Sequence, residues 1–213
     1  MTFSIVAISP REKELGVAVS TAVPCVGARV PHVEMNVGAI ATQARTNIWI
    51  GIKGLKMLKL GLSPQTVLDA LLREDPLREE RQAAIIDIYG RKAVFTGSKT
   101  IDWKGHIIGK NYIVIGNLLV GRQVLESMSK AFEKSNGSLA ERLLLALKAG
   151  DDAGGDRRGK CSAALLVAGP KYVEEYKSPA ISIRVDYHEE PVIELIKIYN
   201  RLKEIRMKAR STR

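Results

Sequence analysis

The chain opens on two short runs of apolar and small residues, 3–8 (Phe-Ser-Ile-Val-Ala-Ile) and 15–21 (Leu-Gly-Val-Ala-Val-Ser-Thr). The charged stretch Ser9-Pro10-Arg11-Glu12-Lys13-Glu14 lies between them. β-Branched runs flanking a polar turn predict an antiparallel hairpin. Small residues recur in it (Ala7, Gly16, Ala18), and small side chains let another layer come close. Residues 23–31 carry two prolines and a glycine and read as irregular. Residues 37–42 read as a third strand. From Ile50 to Leu60 the positions Ile52, Leu55, Met57 and Leu58 fit a helix. Ser63 with Pro64 predicts the cap and first turn of a second helix, which reaches Arg73 and is closed by Asp75-Pro76.

Further on, 82–89 reads as a strand, Gly90-Arg91 as a turn and 93–96 as its return. Residues 97–111 read as a long loop and 112–115 as a strand. Helices follow over 121–134 and 138–149, the second opened by the capping box Ser138-Leu139-Ala140-Glu141. Residues 151–160 form a polar, glycine-rich loop. The continuous apolar run 162–168 predicts a strand covered on both faces. A last strand over 180–186 precedes a helix from Pro191 to Met207, with Ile193, Ile196, Tyr199, Leu202 and Ile205 on its apolar positions. The order gives an α+β chain with antiparallel strands. Two helical layers enclosing two packed sheets would hide both faces of each sheet.

Composition narrows the partners. The 213 residues are 46% hydrophobic, with no visible linker, so 1–202 is read as one domain and 203–213 as a basic tail. Cys25 and Cys161 are the only cysteines and form no CxxC, which points to a reducing cytoplasm. The start lacks a signal-peptide pattern, and no run nears the ~18 apolar residues of a membrane span. The net charge of +10 is concentrated partly at Lys203, Arg206, Lys208, Arg210 and Arg213. Without nucleic-acid-binding signatures, and with aromatics at 5%, that tail reads as a solvated helix end rather than a nucleic-acid arm. Apolar helix faces, if exposed, would favour a homo-oligomer.

The candidate chemistry starts at Thr2. Once Met1 is removed, its hydroxyl and α-amine share one residue, a weak nucleophile beside a base of pKa ~8. As a bare local signal, Thr2 better suits the start of an edge strand. His32, His106 and His188 form no metal-ligand pair, and no metal or cofactor is expected. There is no GxSxG, P-loop or GxGxxG. Cys25 is either a thiol paired with His32 or a small hydrophobe. In Gly154-Gly155-Asp156-Arg157-Arg158-Gly159, Asp156 and Arg158 offer a carboxylate-binding fork with its counter-charge; a solvated turn fits equally. Asn117, at a strand end, is a candidate oxyanion donor, and Gln43 and Asn47 are candidate substrate contacts. Singly, each of these three also fits a hydrogen bond that caps a loop.

Several of these segments resemble, in order, those of domain-of-unknown-function family 1028. They are Thr2 to Ala7, Glu14 to Val19, Gly38 to Ala44, Gly116-Asn117-Leu118-Leu119, Ala153 to Gly159 and Val185-Asp186-Tyr187-His188. Cys161 departs from the pattern, where most members have Gln. The family is similar in fold to the N-terminal-nucleophile (Ntn) hydrolases. The resemblance implies a four-layer αββα sandwich in which Thr2 is the nucleophile and its α-amine the base. It implies an amidohydrolase acting on a small-molecule or peptide-like amide. A non-catalytic ligand-binding protein on the same scaffold is the alternative, since a fold does not by itself define a function.

Overall fold

The structure, a computed structural model, describes residues 2–170 and 181–211. Its elements are mixed α and β, with two antiparallel sheets and five α-helices among the described residues. The hairpin of β1 (Thr2–Ser9) and β2 (Glu14–Thr21) forms the centre of a six-stranded sheet. β9 (Ser162–Ala168) and β10 (Ile181–Val185) extend it beside β2, and β8 (Tyr112–Asn117) and β7 (Gly105–Ile108) beside β1. The second sheet has the order β3 (Pro31–Glu34), β4 (Gly38–Ala44), β5 (Arg81–Asp87), β6 (Lys92–Thr96).

Period-two alternation assigns every side chain a layer. Phe3, Ile5 and Ala7 pack with residues of α3 (Gln123–Lys134), α4 (Leu139–Asp152) and α5 (Pro191–Ser211). Val6, Ile8, Val17 and Val19 face Ala39, Ala41, Ala84 and Ile86 of the other sheet. Ile40, Ala83 and Ile85 turn outward against α1 (Ile48–Lys59) and α2 (Pro64–Arg73). The central strands are therefore buried on both faces, which is why they read as unbroken apolar runs. The small residues have the role expected of them: a Cβ on Gly16 would lie 2.6 Å from Leu143 Cδ1.

Two strands depart from the sequence reading. β3 falls in and beyond the stretch read as irregular, and β7 lies inside the expected loop 97–111. Both are four-residue edge strands. Pro31 opens β3, a position where a strand tolerates proline because no ladder N–H is needed. Three helices pass their expected bounds, while α3 starts two residues late: α1 begins at Ile48, α4 continues to Asp152, and α5 continues through most of the basic stretch to Ser211.

Candidate functional site

The inter-sheet layer is apolar along most of its length and becomes polar at one end. Thr2 stands opposite Asn117 in the β1–β8 ladder, and Gln43 stands opposite Gln82 in the β4–β5 ladder. Thr2 and Ser4 share the face of Val6, Gln43 that of Ala41, and Gln82 that of Ala84, so the polar groups converge between the sheets. Gln43, Gln82 and Asn117 are fully buried. Burying such amides is costly unless they are hydrogen-bonded, and here they bond one another.

Gln43 Nε2 donates to the Thr2 carbonyl (3.0 Å) and to Gln82 Oε1 (2.8 Å), while its Oε1 accepts from Ser4 Oγ (2.5 Å). Gln82 Oε1 also accepts from Asn117 Nδ2 (2.9 Å). Gln82 Nε2 faces three acceptors, Thr96 Oγ1, Gly105 O and Gly116 O, at 2.9–3.0 Å. Gln82 thus ties β5 to β6, β7 and β8, and joins the two sheets. These contacts determine which way each amide points, leaving Asn117 Oδ1 buried with no partner. Beyond each of the two outer amides the chain turns through a left-handed residue, Ala44 (φ 69°) after Gln43 and Leu118 (φ 52°) after Asn117. Such a conformation costs about 1–3 kcal/mol for a residue with a Cβ, and tends to persist where surrounding bonds dictate it. At Leu118 they do: its N–H donates to Ile101 O, and its carbonyl accepts from Arg157 N.

Thr2 itself is 4% exposed, and its Oγ1 donates to Thr21 Oγ1 at 3.3 Å. Buried Phe3 packs against the closely approaching Gly150 and Gly155 and anchors the strand. Thr2 forms part of the wall of a cavity of about 730 Å³, together with Thr21, Asn47, Arg29, Arg81 and Trp49. The exposed apolar side chains of Val23 and Ile48 complete one rim.

The sequence-derived candidates divide around this cavity. Thr2 and Asn47 line it. Asn47 also caps α1, its Oδ1 accepting from Trp49 N (3.1 Å) and its Nδ2 donating to Asp75 Oδ2 (2.8 Å). Gln43, Asn117, Asp156 and Arg158 are not in the wall. Gln43 lies behind Thr2 and holds its carbonyl; Asn117 lies across the sheet from it. Buried Asp156 accepts from Ala22 N (3.2 Å), fixing the chain between Thr21 and Val23. The Arg158 fork is engaged by Asp156, with Nη2 at 2.7 Å and Nε at 3.1 Å. Cys25 is exposed, and a ring nitrogen of His32 bonds the Arg29 carbonyl instead of a thiol. Burial holds the His32 pKa below its ordinary value, partly offset by that carbonyl.

Sequence reasoning missed Gln82, Thr21, Arg81, Arg29 and Trp49. Gln82 and Gln43 share a readable signal, since each lies two residues from an alanine on the same strand face; which face meets the other sheet is not written locally. Arg81 donates to Asp75 through Nε (2.9 Å) and Nη2 (3.1 Å), with both side chains under 10% exposed. Burial pushes the Asp75 carboxyl up. Hydrogen bonds from Arg81, Asn47 and Leu77 N, with the Arg81 charge, outweigh it and hold the pKa below the ordinary value. Among the described residues, no group of three or more His, Cys, Asp or Glu could hold a metal ion. No helix among them is long and apolar enough to cross a membrane.

Two face-to-face antiparallel sheets with helices packed outside them define an α+β class, and the candidate site, with its buried strand-leading threonine, lies at the polar end of their interface. Within that class the chain belongs to DUF1028, a family of unknown function, whose model matches residues 2–195. It is similar to the crystal structure of protein SPO2555 from Silicibacter pomeroyi, assigned to the same family. The two are 35% identical, the match covers 94% of this chain and 88% of that one, and the TM-score is 0.86. No curated protein matches the sequence.

Proposed function

We propose that this protein is an Ntn-type amidohydrolase whose nucleophile is Thr2, exposed as the first residue by removal of Met1. Met1 lies outside the described residues. The order helices, sheet, sheet, helices supports reading the fold as the four-layer αββα sandwich of the Ntn hydrolases. One observation carries the functional reading. Thr2 opens onto the cavity while its main chain is immobilised by the β1–β8 ladder and by Gln43. A nucleophile needs that combination of access and fixed geometry.

In the proposed reaction the neutral α-amine of Thr2 accepts the hydroxyl proton, and Oγ1 attacks the amide carbonyl. A backbone N–H of the cavity wall stabilises the oxyanion, since Asn117 is fully buried behind that wall. The uncommitted Asn117 Oδ1 accepts from the ammonium that forms. The C–N bond breaks as that ammonium returns its proton to the leaving nitrogen. Water then attacks the threonyl ester, giving its proton to the amine; the C–Oγ1 bond breaks as the ammonium returns that proton to Oγ1, and the acid departs with Thr2 restored. The free Cys25 and Cys161 suit a reducing cytoplasm.

Intact-mass measurement tests the prerequisite. The expected mass lacks the initiator methionine, and a methionine retained on every molecule overturns the mechanism. Thr2→Ala is then expected to abolish turnover of any amide the wild type cleaves. A second reading, a non-catalytic binder of small ligands on the same scaffold, is favoured by the commitment of Asn117 Nδ2 to Gln82 rather than to the cavity. Undiminished ligand affinity in Thr2→Ala, with no turnover by the processed wild type, would select it.

A further inference from the structure

The charges around the cavity are one-sided. Its wall contains Arg29 and Arg81 but, among the described residues, no aspartate or glutamate. The two arginines differ in availability. Arg81 is spent on Asp75 and on the Arg45 carbonyl. Arg29 is exposed, and its guanidinium has no hydrogen-bond or ion-pair partner among the described residues. The wall also includes the first residues of α1, whose first turn has no acidic residue, and that helix end adds to the positive potential. Beside these groups Trp49 is 55% exposed and presents an uncovered ring, with Val26 and Val30 forming apolar wall.

We propose that the ligand of this cavity is an amide carrying one carboxylate and an apolar body, the carboxylate held by Arg29 and the body lying against Trp49. A single free guanidinium matches the charge and the two-oxygen geometry of one carboxylate. Without a wall carboxylate, an ammonium would meet two guanidinium groups and no counter-charge in the wall. The specificity claim rests on the cavity being the substrate site, but not on Thr2 being a nucleophile.

The probes are matched pairs of N-acetylphenylalanine, N-acetylleucine and N-benzoylglycine, each with its neutral carboxamide. The chain has two tryptophans, so a Trp103→Phe background makes fluorescence report Trp49 alone. Binding is measured in Thr2→Ala on that background, where turnover cannot interfere. At least one acid is expected to bind about tenfold more tightly than its carboxamide. Arg29→Gln is expected to reduce that preference below about twofold, and Arg29→Lys to retain part of it. Equal affinity within all three pairs, no saturable signal from any probe, or a preference unchanged in Arg29→Gln overturns the proposal. Turnover in processed wild type separates the two ideas. Acid-selective binding without hydrolysis keeps this inference and removes the nucleophile; hydrolysis indifferent to the carboxylate does the reverse.

Discussion

Gln82→Leu tests whether the buried amides hold the two sheets together. Leucine has nearly the volume of glutamine, so the substitution removes polarity rather than bulk. It deletes the two bonds accepted by Oε1, from Gln43 and Asn117, and the contacts of Nε2 with Thr96, Gly105 and Gly116. An amide nitrogen has two hydrogens, so about four bonds of normal strength are lost, worth roughly 4 kcal/mol net. Asn117, whose Oδ1 already has no partner, would also lose the bond at its nitrogen, for a further ~1–3 kcal/mol. The buried leucine returns about 1–2 kcal/mol. The expected net loss is ~3–6 kcal/mol, which lowers the melting temperature of a domain this size by at least roughly 10 °C. Urea denaturation followed by circular dichroism gives the free energy, and calorimetry the melting point. In the Gln82→Leu, Asn117→Leu double variant both partners become apolar, so its loss should fall short of the sum of the singles by at least ~1 kcal/mol. A single variant within ~1 kcal/mol of wild type, or losses that simply add, would refute the reasoning.

Five other substitutions probe the surroundings. Asp75→Asn leaves the Arg81 guanidinium buried without its counter-charge and should cost about 3 kcal/mol in urea denaturation. Because the folded Asp75 pKa lies below its ordinary value, its contribution is complete above pH ~4 and is lost as pH falls through the folded value. The wild type should therefore lose stability more steeply than Asp75→Asn in an acid titration below that pH. Gly97→Ala would put a Cβ 2.3 Å from the Glu79 carbonyl oxygen, a backbone atom that cannot swing away, and should cost about 3 kcal/mol. Gly90→Ala meets no neighbour within 4 Å and pays only for its φ of 79°, about 1 kcal/mol. Asp156→Ala should speed hydrogen exchange at the Ala22 amide in mass spectrometry, whereas Arg158→Ala should not.

The signals that were legible in the sequence are local ones. Ser63 accepts from Thr66 N, and Ser138 and Glu141 close their capping box, because a cap is decided within four residues. The first hairpin could be read because its two strands adjoin in sequence. β7 could not, because Gly105 to Ile108 is held as a strand by pairing with residues 113–116 and offers the core only the half-buried Ile107. The site divides in the same way. Thr2 stands out by chemistry, but Gln82 is an ordinary strand residue until β5 is known to lie across from β1 and β8. Arg81 and Asp75 lie six residues apart with a turn between them, so only the folded chain brings their side chains into register. Asp156 and Arg158 were recognised as a pair, yet the third partner, Ala22 N, lies 134 residues away.

The strand order of the larger sheet has a consequence for how the chain reaches this state. The sheet grows outward from its first two strands. β1 and β2 can pair as soon as residues 2–21 exist, but both outer edges of that hairpin wait for distant segments. One is covered by residues 112–117 and the other by residues 162–168. Until then a largely apolar two-stranded ribbon presents unpaired backbone on each side, a form prone to pair with another chain. Closing loops of about a hundred residues is also slow. Folding should therefore be limited by the arrival of β8 and β9, and yield should depend on keeping nascent chains apart until then. The threonine of the candidate site is made well before the strands that complete its surroundings.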